Sequence, residues 1–269
     1  MRTPSVQQHS PSHIHMLDIG IRSHSSGALI LLGLSAFVAA LARGFSGFGS
    51  ALIFVPLAST AIGPQTAAPL LLLIDGVTAV GLVPNAWRHA DKRDVGTMSI
   101  GALAGIPLGA WILVKSDPLL IRWAIALFGA LLLALLTSGW RYRGKPSAAM
   151  AALVGAAAGL LSGAAQIGGP PIVAYWLSRP ISTKTVRANI VLYFAISSVM
   201  TGTVYFAGGL LSPSVVGLAL VTGPVYGVGL FAGARMFGLA SEITFRRICF
   251  VLIAVAIALS LPILDIIKH

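Results

Sequence analysis

The sequence predicts an all-α polytopic membrane protein built from two inverted-topology repeats, each a pair of short or broken helices followed by three full transmembrane helices. Three observations lead there. Of 269 residues, 57% are apolar and only 9% charged, with a mean hydropathy of +0.91, which excludes an ordinary soluble domain. The apolar stretches form two sets of five, and each set opens with a Gly- or Pro-interrupted pair shorter than the roughly 20 residues a full span needs. Basic residues cluster in short gaps between those stretches, so the net charge of +11 reads as a positive-inside pattern and not as a nucleic-acid interface.

Residues 1–26 are polar and carry His9, His13, His15 and His24. They read as a disordered tail, because His13-Ile-His15 with only Asp18 nearby makes a poor metal site. Arg22, the apolar residues 28–38 and Ala40-Leu-Ala42 imitate a signal peptide. Cleavage there would remove the first helix of the first repeat, so the segment is expected to be retained. The first repeat, 27–145, has apolar segments at about 27–43, 47–62, 66–87, 95–114 and 118–139. The second, 146–269, has them at about 148–163, 168–179, 185–207, 213–236 and 242–267. In each repeat the first two fall short of a span and are expected to dip in and out together.

Gaps 88–94, 141–145, 179–187 and 235–247 are basic, whereas 63–65 and 208–212 carry no charge. Placing the basic gaps in the cytoplasm puts both ends of each short pair on one side, with three spans following. Five segments per half, an odd number, invert the second half relative to the first. Both termini then lie on the non-cytoplasmic face, and Lys115 and Arg122 are the exceptions. Trp87, Trp111, Trp140 and Trp176 fall near span ends and are assigned to the aromatic belt. The single cysteine, Cys249, lies in an apolar run and reads as a buried side chain, so no disulfide, metal site or cofactor is expected.

The most informative stretch runs from 155 to 177. Gly155, Gly159 and Gly163 recur every four residues, a pattern that admits another backbone closely within a membrane. Gly168-Gly169-Pro170-Pro171 then ends that helix and starts another. The amides and positive dipole end beside Gln166, Ile167 and Gly168 would face inward and hold an anion. Irregular backbone at that depth must be buried in protein or line a cavity. An earlier copy, Gly44-Phe-Ser46-Gly47-Phe-Gly49, aligns at a shift of 119, with Gly44 on Gly163 and Gly49 on Gly168. Slipping the shift by one lays Gly105-Ile-Pro-Leu-Gly109 over Gly223-Pro-Val-Tyr-Gly227. Interrupted apolar segments at corresponding places in two halves point to a transporter binding site.

These paired motifs, Gly44-Phe-Ser46-Gly47-Phe-Gly49 with Pro56 and Ser162-Gly163 with Ile167-Gly168-Gly169-Pro170-Pro171, together with Arg187-Ala-Asn189, resemble the TauE/SafE family of sulfite exporters. That family is also called the toluenesulfonate uptake permeases. The likeness covers the chain from about residue 27. It implies a bacterial inner-membrane carrier for small anions, often sulfite, sulfonates or related organosulfur acids. The first copy departs from the second in having Gly49-Ser50 without the two prolines.

The candidate substrate-binding residues are Arg43, Ser46, Gly47, Gly49, Ser162, Gly163, Gln166, Gly168, Gly169, Pro170, Arg187 and Asn189. Arg43 precedes the first break; it either lines a cavity as an anion seat or snorkels to headgroups. Asp75 lies mid-way along the 66–87 segment and is a candidate for coupling, either by carrying a proton or by balancing Arg43. Arg187 and Asn189 open the third segment of the second half, where Arg187 also fits the positive-inside rule. Tyr175 and Tyr193 are further hydrogen-bond donors to an oxyanion. The expected partners are a small anion, a coupling ion (H⁺ or Na⁺) and the lipid bilayer. GxxxG faces such as Gly229-Leu-Phe-Ala-Gly233 pack either within one chain or in a homodimer. A secondary transporter fits best, with an anion channel as an alternative. Gly44-Phe-Ser46-Gly47 superficially matches an intramembrane serine protease motif, but no histidine lies in a span to serve as base. No catalytic residues are assigned. No Walker A sequence occurs, so nothing points to ATP.

Overall fold

The computed structural model describes residues 26–46, 49–138, 147–236 and 242–263. The polar tail, Gly47 and Trp140 lie outside these residues, as does the side chain of Ser46. Among the described residues there are only helices and connections. In order they are α1 (Ser26–Ser46), α2 (Ser50–Ile62), α3 (Pro64–Ala79), a 3-10 turn (Val80–Leu82), α4 (Val83–His89), α5 (Lys92–Lys115) and α6 (Pro118–Thr137). The second half contributes α7 (Ala148–Ala165), α8 (Gly169–Leu177), α9 (Thr183–Ala207), α10 (Pro213–Met236) and α11 (Glu242–Ser260). Side-chain caps fix several starts: Asp117 accepts from the Leu119 and Leu120 amides, Ser147 from Met150, and Ser182 from Thr185.

Six helices, α1, α5, α6, α7, α9 and α10, are long and apolar enough to cross a bilayer. Large apolar side chains point away from the protein along them, among them Ile30, Leu34, Ile100, Leu127, Val199 and Phe231. This multi-pass, all-helical arrangement is the expected fold class, but two elements differ from expectation. The first member of each opening pair is not short: α1 has 21 residues and α7 has 18, followed by short helices of 13 and 9. Gly44 and Gly163 belong inside these helices, because they serve close packing and not a break. A methyl group on Gly44 would meet the Leu230 carbonyl at 2.2 Å, and one on Gly163 the Ile106 carbonyl at 2.2 Å.

The expected span over 66–87 is also not straight. Pro64–Thr78 and Val83–His89 meet at 75°. Pro84 has no amide to give the Val80 carbonyl, so a continuous helix through the turn would lose that bond and clash there. Its counterpart α9 is continuous over 25 residues.

The halves interlock. α7 lies against α5, where Gly101, Gly105 and Gly109 face the backbones of Ala152, Ala156 and Leu160, and Gly155, Gly159 and Gly163 face Met98, Ala102 and Ile106. Reciprocally, α1 lies against α10, where Gly229 and Gly233 face the carbonyls of Phe37 and Leu41. The GxxxG face of α10 is therefore filled within one chain and is not open to a second copy. Ala156 and Leu160 are the partners of Phe37 and Leu41 at a shift of 119, so Gly105 and Gly109 match Gly229 and Gly233 in packing. Gly223 and Gly227, their counterparts by sequence, contact almost nothing. Arg122, an exception to the charge pattern, donates to the Ser260 carbonyl at the end of α11. It answers a helix C-terminus, and therefore says little about sidedness.

Candidate functional site

Both interruptions open on one cavity of about 40 Å³, with room for roughly three waters or one small oxyanion. Its walls come from both halves: Arg43 of α1, Gly49, Ser50 and Ala51 at the start of α2, Asp75 of α3, Ser162 of α7, Gln166, Ile167, Gly169 and Pro170 around the second break, and Phe194, Ser197 and Ser198 of α9.

The backbone at the breaks follows from residue type. Gly49 has φ 95°, a left-handed conformation that glycine alone adopts without strain. The amides of Gly49 and Ser50 have no partner among the described residues. At the second break Gln166 is itself left-handed, with φ 59°. The Gln166 amide bonds back to the Ser162 carbonyl at 2.9 Å, and the Ile167 amide to the Leu161 carbonyl at 3.3 Å. This corrects the expectation that both amides are free: they close the end of α7. The amides without a partner among the described residues are those of Gly168 and Gly169, because they open α8 and have no preceding helical turn to supply carbonyls; Pro170 and Pro171, next in line, have no amide to leave unpaired. Gly168 must lack a side chain, since a methyl there would sit 2.2 Å from both the Ala158 carbonyl and the Ser162 hydroxyl.

The negative end of α7 meets the same break, and it is covered. Tyr205 donates to the Gly163 carbonyl at 2.8 Å, and the Gln166 side-chain amide donates to the Ser162 carbonyl at 3.1 Å. What remains toward the cavity is the positive end of α8 together with the Ser162 hydroxyl. An anion is favoured there for the reason that helix N-termini bind phosphates and sulfates.

The cavity's formal charges all lie in the first half. Arg43 Nε is 2.7 Å from Asp75 Oδ1, and the Tyr226 hydroxyl, fully buried on α10, donates to the same oxygen at 2.5 Å with the Ser50 hydroxyl beside it. Asp75 stands one turn from the end of α3, near the bend. At the shift of 119, Arg43 corresponds to Ser162 and Asp75 to Phe194, so the second half supplies neutral residues at matching places. That correspondence, carried past the motifs, is the signal that would have found Phe194. Ser197 and Ser198 follow from it by neighbourhood, but nothing in the sequence pattern singles out Tyr226.

Arg187 and Asn189 are not at the cavity. Arg187 is exposed on the basic face, while Asn189 is fully buried and its Oδ1 accepts the Asp91 amide at 2.8 Å. Trp176 is the correction to the aromatic belt: it is fully buried, and its indole donates to Asp94 Oδ2 at 2.6 Å. An indole N–H within the protein needs an acceptor, and Asp94 supplies it. Trp87 and Trp111 are exposed as a belt requires, and Cys249 is buried and free. No group of three or more metal-ligating side chains occurs among the described residues.

A multi-pass helical membrane protein with a small, amide-lined cavity at paired helix breaks belongs to the class of solute transporters. The match to the family model described as Sulfite exporter TauE/SafE spans residues 32–261, and the chain belongs to that family. It is a family of transporters and not of enzymes, which disposes of the protease-like motif. A protein of Cupriavidus necator named "Probable sulfite/organosulfonate exporter TauE" is 28% identical over 245 residues, covering 87% of this chain and 95% of that protein. No solved structure matches the chain.

Proposed function

We propose that the protein carries small sulfur oxyanions, sulfite or organosulfonates, across the bacterial inner membrane by alternating access, with the two halves acting as inverted repeats around the central cavity. The observation that supports this most is the meeting of two interrupted helices at one cavity, where Gly49, Ser50 and Gly169, whose amides have no partner among the described residues, lie with Arg43 and Ser162. Gly163, Gln166 and Pro170 shape or flank that seat, and Ser46 and Gly47 are counted with it on the sequence motif alone. The name of the relative from Cupriavidus necator supports the substrate class and export as the direction.

Coupling follows from charge balance. Arg43 is already matched by Asp75, so a seated anion adds an uncompensated charge in a poorly solvated place. A cation taken up at Asp75, H⁺ or Na⁺, restores the balance and frees Arg43 for the anion. Asp75 Oδ1 is engaged by Arg43 and by the Tyr226 hydroxyl, and Asp75 lines the cavity, where a cation would reach its carboxylate.

The test is a panel of sulfite, thiosulfate, methanesulfonate and acetate scored by thermal stabilisation of the purified protein, which rises with affinity. Stabilisation by the sulfur anions and not by acetate is the expected result; stabilisation by acetate or cations alone overturns the assignment. Saturable, gradient-coupled counterflow in proteoliposomes is expected of a carrier, and flux that rises linearly with concentration identifies a channel.

A further inference from the structure

Through the cavity wall and beyond it, α9 carries a ridge of Asn189, Tyr193, Ser197, Thr201 and Tyr205, spaced four apart and all buried. Side chains four apart are neighbours on a helix. Ser197 lines the cavity, and Tyr205 holds the carbonyl of Gly163 at the second break. From Ser197 toward the basic face, the next two members are Tyr193 and Asn189, about 6 and 12 Å further along the helix axis.

Both are fully buried, and both carry a donor with no acceptor among the described residues: the Tyr193 hydroxyl and Asn189 Nδ2. Arg179 Nε is a third such donor in the same cluster. The cluster is continuous. The Tyr193 ring packs edge-on against Trp176, with centroids 6.1 Å apart. Trp176 and Arg179 Nη1 share Asp94 Oδ2. Asn189 Oδ1 holds the Asp91 amide, and Asp91 Oδ1 accepts from the Asp94 amide. A buried donor without an acceptor is costly, and three in one cluster are rarely left without a use. All three lack the same thing, an acceptor, which is what an oxyanion supplies. Arg88, Lys92, Arg93, Lys184 and Arg187 are exposed on the adjoining segments and concentrate anions there.

We propose that Tyr193, Asn189 and Arg179 form a second, transient oxyanion subsite on the route between the cavity and the basic face, and that the Arg179–Asp94 ion pair closes it. α8 joins the two sites mechanically: Gly169 and Pro170 at its start line the cavity, and Trp176 at its end is tied to Asp94. Release of Asp94 from Arg179 frees that cation for the passing anion and unpins the end of α8. The Asp94 carboxylate is itself a repulsive element, so the anion crosses only when Asp94 turns away. This inference rests on the transport reading above; the sequence pattern marks Asn189 as a substrate residue, but not at a separate place.

The test compares flux with binding in the full chain, using sulfite and methanesulfonate as probes. Tyr193→Phe deletes only the hydroxyl. Asn189→Asp keeps the acceptor for the Asp91 amide but replaces the donor with a negative charge. Tyr193→Phe is expected to lower maximal flux in proteoliposomes by about five-fold, the worth of one hydrogen bond, and Asn189→Asp by more, because the added carboxylate also repels the anion; the anion concentration giving half-maximal thermal stabilisation is expected to stay unchanged in both. Ordinary thermal midpoints without anion establish that each variant is folded, and if one is not, the other decides. Flux within two-fold of the native protein overturns the proposal, as does a loss of affinity matching the loss of flux, which returns these residues to the cavity or to structure. Asp94→Asn adds a directional readout. In that background, a thiol reagent confined to the basic side is expected to label Ser198→Cys faster, and equal labelling from both sides counts against the closure. Absence of both flux and stabilisation in the native protein indicts the transport reading instead.

Discussion

At Arg43 one guanidinium is shared between a fixed carboxylate and, in our reading, a mobile anion. Arg43→Gln is expected to weaken sulfite-induced thermal stabilisation by at least about ten-fold, since charge-assisted hydrogen bonds are the strong ones. It also strands Asp75, so the Arg43→Gln/Asp75→Asn double variant is expected to melt higher than Arg43→Gln alone. Asp75→Asn keeps an acceptor for the Tyr226 hydroxyl but removes the charge. It is expected to abolish flux driven by a pH gradient while leaving counterflow of labelled against unlabelled anion measurable. Retention of pH-driven flux removes the proton from the mechanism. Arg43 and Asp75 were both legible in the sequence, because a charge within an apolar segment is costly and stands out. Tyr226 was not: a single tyrosine in a long apolar helix carries no such mark, and only folding brings α10 against α3.

Among the elements, the glycine stripes decide which helices touch. Gly105→Ala puts a methyl 2.1 Å from the Ala156 carbonyl, where neither backbone can yield without separating α5 from α7. A cost of about 1–3 kcal/mol, or a marked drop in melting temperature, is expected. Gly227→Ala meets nothing within 4 Å and is expected to leave the melting temperature unchanged or raise it slightly. If the two variants behave alike, the packing register drawn from Gly229 and Gly233 is wrong. That register was misread from sequence because glycine spacing repeats every four residues, so several alignments satisfy it. The helix breaks themselves were legible at Gly49 and Gly168, where glycine is required by a left-handed φ in one case and by close approach in the other. The length of α1 was not, since a glycine serving contact looks in sequence like one serving a turn.

For the molecule as a whole, the fold class followed from composition and charge spacing, and the bend between α3 and α4 is marked locally by Pro84, while the burial of Trp176 followed from a contact that no local pattern encodes. A tryptophan near a segment end belongs to the belt unless an acceptor waits inside, and Asp94 lies 82 residues away in sequence. The proposed route predicts a dependence on the medium: raising ionic strength is expected to slow uptake of dilute sulfite from the basic side more than to change saturated flux, because exposed lysines and arginines act by screened attraction. The reciprocal packing of α1 on α10 and α7 on α5 has a consequence for biosynthesis. The glycine-bearing face of α1 is made first, yet its partner leaves the ribosome about 170 residues later. At roughly 5–20 residues per second that is a wait of about ten to thirty seconds. During it α1 must lodge beside lipid, the translocon or an insertion chaperone. A chain stopped after α6 never acquires the surface that α1 is shaped to meet, so neither half can be expected to mature alone.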